Sequence, residues 1–199
     1  MKKEISIIVF WGAIWGIVEA TLGYILHNIS FTLFNISGLI MFPIAFYFMS
    51  KVYKECNKIS SIFYVSIIAA LIKLTNLIIP GIMVIKVVKP AISILAEGLV
   101  VFCIYKLFDN KKSSFKYMVP ILVSLSWRGI FALLIKLSII SGTIAYFNFI
   151  FLEGLVNSLF IFILLAIPEN KVKIINIPKY HLGISFSLLA LAVVIQCIL

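Results

Sequence analysis

Acidic side chains are scarce in this chain: 7 Asp and Glu among 199 residues, against 17 Lys and Arg. Charged residues of both signs make up only 12%, about half the share usual in a soluble domain. Histidine occurs twice and cysteine three times, and Cys56, Cys103 and Cys197 stand apart with no ligand-like spacing. This leaves the cysteines as packing or loop residues and excludes a cysteine-framed metal site or a disulfide scaffold. No HExxH, no GxSG and no aspartate cluster occurs, so the common metalloprotease, serine-hydrolase and phosphotransferase chemistries lack their groups. No segment is long enough for a soluble catalytic or nucleotide-binding domain. The chain is expected not to be an enzyme and to hold no metal and no cofactor.

What is abundant is apolar. Hydrophobic residues reach 63% and the mean hydropathy is +1.20. A spanning helix needs roughly 20 apolar residues, and the chain offers seven such runs. They fall at about Ile5–Leu26, Phe34–Ser50, Ser61–Ile79, Pro90–Phe108, Tyr117–Ile140, Ala145–Ile167 and His181–Ile198. The expected fold is an all-α integral membrane protein, one transmembrane domain over residues 1–199. It has a six-helix core at about 5–167 and an extra C-terminal helix at about 181–198. Pro43 is expected to kink the second helix, and Pro80, Ser141-Gly142 and Pro168 to end the third, fifth and sixth. The opening MKKE and its apolar run resemble a signal peptide. The run is too long, carries Glu19 and lacks a small-x-small cleavage site, so it reads as a permanent first helix.

The net charge of +10 is a topology signal and not a nucleic-acid footprint. With the N-terminus placed inside, the inner segments hold twelve lysines: 2, 3, 51, 54, 58, 106, 111, 112, 116, 171, 173 and 179. The outer loops hold only Lys86 and Lys89. This asymmetry predicts a multi-pass protein of the cell membrane with a cytoplasmic N-terminus.

The first helix has two unusual features. Glu19 sits well inside its apolar run, and Gly12, Gly16 and Ala20 recur every four residues. A charge inside a span costs about 2.5–3.5 kcal/mol on insertion scales and therefore faces protein or water with a partner. A face without side-chain bulk lets another helix come close, either within the chain or from another subunit.

Five further ionisable residues fall inside the expected spans: Lys73, Glu97, Arg128, Lys136 and Glu153. Counted along their helices, Glu19, Lys73, Glu97, Lys136 and Glu153 share one depth in the outer half, with Arg128 deeper. Asn76, Ser93, Ser124 and Asn157 stand three or four residues from a charge, on the same helical faces. A polar, outward-opening pocket is predicted, with His27 at its mouth and Trp11, Trp15 and Trp127 as candidate walls. Mostly apolar walls with a few convergent polar groups suit a small-molecule ligand. The alternative is a set of salt bridges that only orient the helices. A weak repeat runs through the same residues: AALIKLTNLIIPG (69–81) echoes FALLIKLSIISG (131–142), and ILAEGLVVF (94–102) echoes FLEGLVNSLF (151–160). The third and fourth helices thus echo the fifth and sixth, and transporters place sites where repeats meet.

The first-helix pattern G-x-x-W-G-x-x-E-x-T-L-G-x-x-L-H, here Gly12 to His27, resembles a subgroup of S components. These are the substrate-binding membrane subunits of energy-coupling factor (ECF) transporters. A second patch, Ala69–Lys73 followed by the proline-led Pro90–Glu97, is similar too, so the resemblance covers about half of the chain. It implies a helical bundle that binds a vitamin-like micronutrient near the outer face. It also implies a membrane coupling subunit and ATP-binding subunits as partners, with Gly12, Gly16 and Ala20 meeting the coupling subunit. The substrate residues would be Glu19, His27, Lys73, Asn76, Glu97, Arg128, Lys136, Glu153 and Asn157. The competing expectation is a stand-alone proton-coupled carrier that uses Glu19, Glu97 and Glu153 as proton sites.

Overall fold

The computed structural model describes residues 2–28, 36–108, 118–134, 147–166 and 182–198. Seven α-helices account for nearly all of them: α1 Lys2–Asn28, α2 Ile36–Cys56, α3 Ser60–Leu74, α4 Val84–Phe108, α5 Val119–Leu134, α6 Glu153–Ala166 and α7 Leu182–Ile198. A 3-10 turn, Thr75–Ile78, extends α3, and a π-helical turn, Asn148–Leu152, leads into α6. No strand occurs among the described residues. Five segments are long and apolar enough to cross a membrane: Lys2–Leu26, Ile36–Cys56, Ser60–Ile78, Val84–Phe108 and Asn148–Ala166. Helices α5 and α7 are apolar but shorter. Large apolar side chains such as Leu71, Leu133 and Ile163 point outward. This suits a multi-pass membrane protein, since hydrocarbon tolerates only backbone whose hydrogen bonds are satisfied within the segment.

Six helices close a ring in the order α1, α3, α4, α5, α6, α2 and back to α1. Helix α2 also reaches across to α3 and α4. Its Phe42, Phe46 and Met49 fill the centre with Trp15, Val65, Val101 and Trp127. Helix α7 lies outside the ring along α1, in the most extensive helix pair of the fold. Ser6 and Ser185 fix its register: the Ser185 hydroxyl donates to the Ser6 carbonyl at 2.9 Å. Ala13 and Ala192, both fully buried, meet seven residues further along each helix, so α1 and α7 run parallel.

One end of the bundle is tied by polar contacts. Lys58 pairs with Glu4 at 2.8 Å, Trp11 Nε1 donates to Glu55 at 2.9 Å, and the Tyr53 and Tyr105 rings meet edge-on at 5.1 Å. Asn57, at φ 50°, ends α2 in the left-handed conformation that asparagine tolerates at a helix terminus. The next helix starts three residues later.

Several boundaries differ from the sequence reading. Helix α2 runs on to Cys56, through residues expected to form a basic loop, because Lys51 lies over the Tyr47 ring and Trp11 anchors Glu55. Helix α4 starts at Val84, with Pro90 inside it. The exposed first turn around Lys86 leaves the carbonyl opposite the missing proline N–H open to other donors. Residues 135–140 and 145–146, expected in the fifth and sixth helices, lie outside the described residues, as do residues 109–117 and 167–181.

Candidate functional site

The polar groups of the spans gather in the half of the ring away from the Lys58–Glu4 end. Arg128 of α5 is fully buried and makes a salt bridge with Glu153, the first residue of α6. Its Nη1 also donates to the Phe149 carbonyl at 3.0 Å, and Nη2 donates to Asn157 Oδ1 at 3.3 Å. Asn157 in turn donates to the Gly38 carbonyl of α2 at 3.2 Å. The guanidinium lies against the rings of Trp127 and Phe149, 5.2 and 4.8 Å from their centroids. Glu97 of α4, also buried, accepts from the Ser93 hydroxyl at 3.1 Å. Among the described residues no cation stands within ion-pair distance of it; Arg128 and Glu19 act on it through space. Lys73 of α3 acts on Glu19 of α1 in the same way, without ion-pair contact.

All six ring helices thus contribute a polar group to this half of the ring: Glu97, Arg128 and Glu153 are buried, Glu19 and Lys73 are half-buried, and α2 adds the Gly38 carbonyl. The π turn before Glu153 is part of the construction. It places the Phe149 carbonyl within reach of Arg128, and π turns recur at functional positions. The glycine after each buried glutamate does a related job. A Cβ on Gly154 would sit 2.8 Å from Leu125 of α5, and one on Gly98 would overlap Ser66 of α3. Each glutamate is therefore carried on a helix that closes tightly on the preceding one.

One reading of the charges changes. Arg128 is not a deeper outlier; its long side chain reaches Glu153 and Asn157 and becomes the centre of the cluster. Glu153 takes Arg128 as its cation, whereas Lys136 lies outside the described residues, as does the His27 side chain. Trp11 is no wall of this region, because Glu55 holds it near the opposite end; Trp127 is part of it. Asn76 is half-buried and its Oδ1 has no hydrogen-bond partner among the described residues.

The smooth face of α1 is covered from within. Gly12 lies under Ile68 and Gly16 under Ile72, so that added Cβ atoms would come within 2.7 and 2.6 Å of them. Ala20, 1% exposed, continues that buried row. The close-packed helix implied by these small residues is α3 of the same chain, not a second subunit.

No family model, no curated protein and no solved structure matches this chain. Function therefore has to be argued from the cluster itself.

Sequence reasoning missed the Phe149 carbonyl and the π turn, which no residue pattern announces. It also missed the role of Gly98 and Gly154, although their place after each glutamate was a visible signal. A groove on α7 lined by Gly183, Ile184, Ser187, Leu188 and Leu191 contains none of the cluster residues. Among the described residues no group of three or more His, Cys, Asp or Glu could hold a metal ion.

Proposed function

We propose that this protein is a substrate-capturing membrane subunit of an energy-coupling factor type importer, taking a small, polar, vitamin-like molecule into the cluster inside the ring. One observation carries the reading: six helices bring polar groups to one half of the ring, where Glu97, Arg128, Glu153 and Asn157 are buried in a largely apolar bundle. Intramembrane ionisable groups are costly, and they mark solute pathways more often than they stabilise. In this reading the N-terminus is cytoplasmic, as the lysine distribution argues, and the cluster opens outward. The membrane coupling subunit and ATP-binding subunits are the proposed partners. They engage a face other than the one at Gly12 and Gly16, which α3 covers.

A second reading, a stand-alone proton-coupled carrier, is favoured by Glu97, a buried carboxyl held by a single hydroxyl. One purification separates the two. The full chain, tagged and extracted from its native membrane in mild detergent, is expected to bring down a multi-span partner, ATP-binding subunits and a retained small molecule, all seen by mass spectrometry. Isolation without protein partners, together with solute-driven pH changes in vesicles containing this chain alone, would establish the carrier and sink the importer reading.

A further inference from the structure

Three side chains on one face of α5 each keep a buried hydrogen-bonding atom without a partner among the described residues: Ser124 Oγ, Trp127 Nε1 and Arg128 Nε. Their residues are 0%, 3% and 0% exposed. The spacing i, i+3, i+4 sets them side by side over one turn. Unpartnered buried polar atoms are rare in native proteins and each calls for an explanation. Here there are three together, beside the cluster proposed to hold the solute. The indole and the guanidinium can only donate, and the serine hydroxyl can donate as well.

Charge narrows what they donate to. Arg128 is already in contact with Glu153, and Glu97 lies close enough to act through space. Among the described residues of the cluster the carboxylates of Glu19, Glu97 and Glu153 outnumber the cations Lys73 and Arg128, which leaves no attraction for a further anion. The acceptor that fits is a neutral carbonyl oxygen. Shape narrows it further. The Trp127 ring packs 4.9 Å from Phe42 and 5.7 Å from Phe131, and Phe149 continues the aromatic wall at 6.5 Å from Phe131. Flat aromatic surfaces receive flat rings, offset-stacked or edge-on.

We infer that Ser124, Trp127 and Arg128 form the substrate-recognising face of the site, and that the substrate is a neutral, planar, carbonyl-bearing heterocycle. This rests on the reading of the cluster as a solute site and names the class of solute. The competing occupant of the three donors is buried water.

The test is equilibrium dialysis of the purified full chain in detergent. The neutral probes are uracil, nicotinamide and 2-pyridone, with benzoate as the anionic and benzylamine as the cationic control. Wild type is expected to retain at least one neutral probe at least tenfold more tightly than either control. Ser124→Ala and Trp127→Phe are each expected to weaken that binding about tenfold, the effect of one lost hydrogen bond. Ser124→Ala breaks no hydrogen bond among the described residues, so its melting temperature should equal that of wild type. Preference for benzoate or benzylamine, sensitive to Ser124→Ala, overturns the substrate class while the solute site stands. A neutral probe retained equally by both variants overturns the donor face, and loss of that binding in Glu97→Leu would still keep the site. Retention of no probe overturns the inference and assigns the donors to water. In that case the small molecule recovered from the native membrane decides separately whether the chain captures a solute.

Discussion

Replacing Arg128 with methionine removes a guanidinium that is 0% exposed and holds together three elements. The change leaves the buried Glu153 carboxylate without its cation, and the Phe149 carbonyl and Asn157 Oδ1 without their donor. Breaking a buried pair from one side costs about 3–5 kcal/mol, so Arg128→Met alone should destabilise by about that much. Glu153→Gln should fall at the lower end of the same range, because its amide oxygen still accepts from Arg128. With both changes made together no unpaired charge remains. The residual cost is two unmet acceptors at about 1 kcal/mol each, about 2 kcal/mol in all. The single effects would sum to about 6 kcal/mol or more, so the coupling should be about 4 kcal/mol or more. Reversible unfolding in mixed micelles at rising SDS fraction, followed by tryptophan fluorescence, measures all four corners of the cycle. Costs that add to within about 0.5 kcal/mol would show that the pair is not a unit, and the description of the cluster around it would fall.

Gly16→Leu should fail to accumulate as folded protein, because even a Cβ there would come within 2.6 Å of Ile72; a folded variant that binds solute but cannot transport it would restore the face as a docking surface. Gly98→Ala should lower the melting temperature in detergent by several degrees through its overlap with Ser66, and an unchanged value would mean that α3 and α4 pack less closely than described. A cysteine at Lys86 should react with an impermeant maleimide in intact cells and one at Lys58 only in inverted vesicles, both positions being exposed; the reverse pattern would turn the molecule over and move the cluster to the cytoplasmic half.

The helices were legible in the sequence wherever lipid dictates the answer. In hydrocarbon an apolar run of about 20 residues satisfies its backbone as a helix, and the last helix lies outside the ring of six. Boundaries were less legible where a rule has exceptions. Pro90 reads as a first turn, yet α4 carries it in its interior. KVYKEC reads as a polar loop, yet Trp11 and Tyr47 hold it as helix. Within the site, residues spaced four apart were readable: Ser93 does meet Glu97, and Asn157 shares Arg128 with Glu153. Depth was not readable for Arg128. Counting Cα positions ignores the reach of a long side chain and the π turn that sets the start of α6. The row of small residues foretold a close helix, but nothing in a row of glycines says whether that helix is covalently attached.

The repeat offers one more step, because its two halves are not equal. Lys73 and Lys136 align, and eight residues before Lys136 stands Arg128, whereas eight before Lys73 stands Val65. Val65 is fully buried in the apolar core, so no guanidinium serves Glu97 as Arg128 serves Glu153. The two hairpins, alike in sequence, therefore carry one neutralised carboxylate and one that, among the described residues, only Ser93 holds. In the proposed reading the α5 donors take the carbonyl of the substrate, and Glu97 is placed to accept from an N–H on the same ring. Glutamine keeps an acceptor oxygen at that position and leucine keeps none. Glu97→Gln should then weaken binding of a neutral heterocycle less than tenfold, and Glu97→Leu by tenfold or more, as measured by the same dialysis. The carrier reading expects another pattern: Glu97→Gln binds as wild type but no longer couples solute movement to pH in vesicles. If glutamine and leucine have equal effects on binding, Glu97 does not touch the solute, and the asymmetry of the repeat serves only the packing of α4.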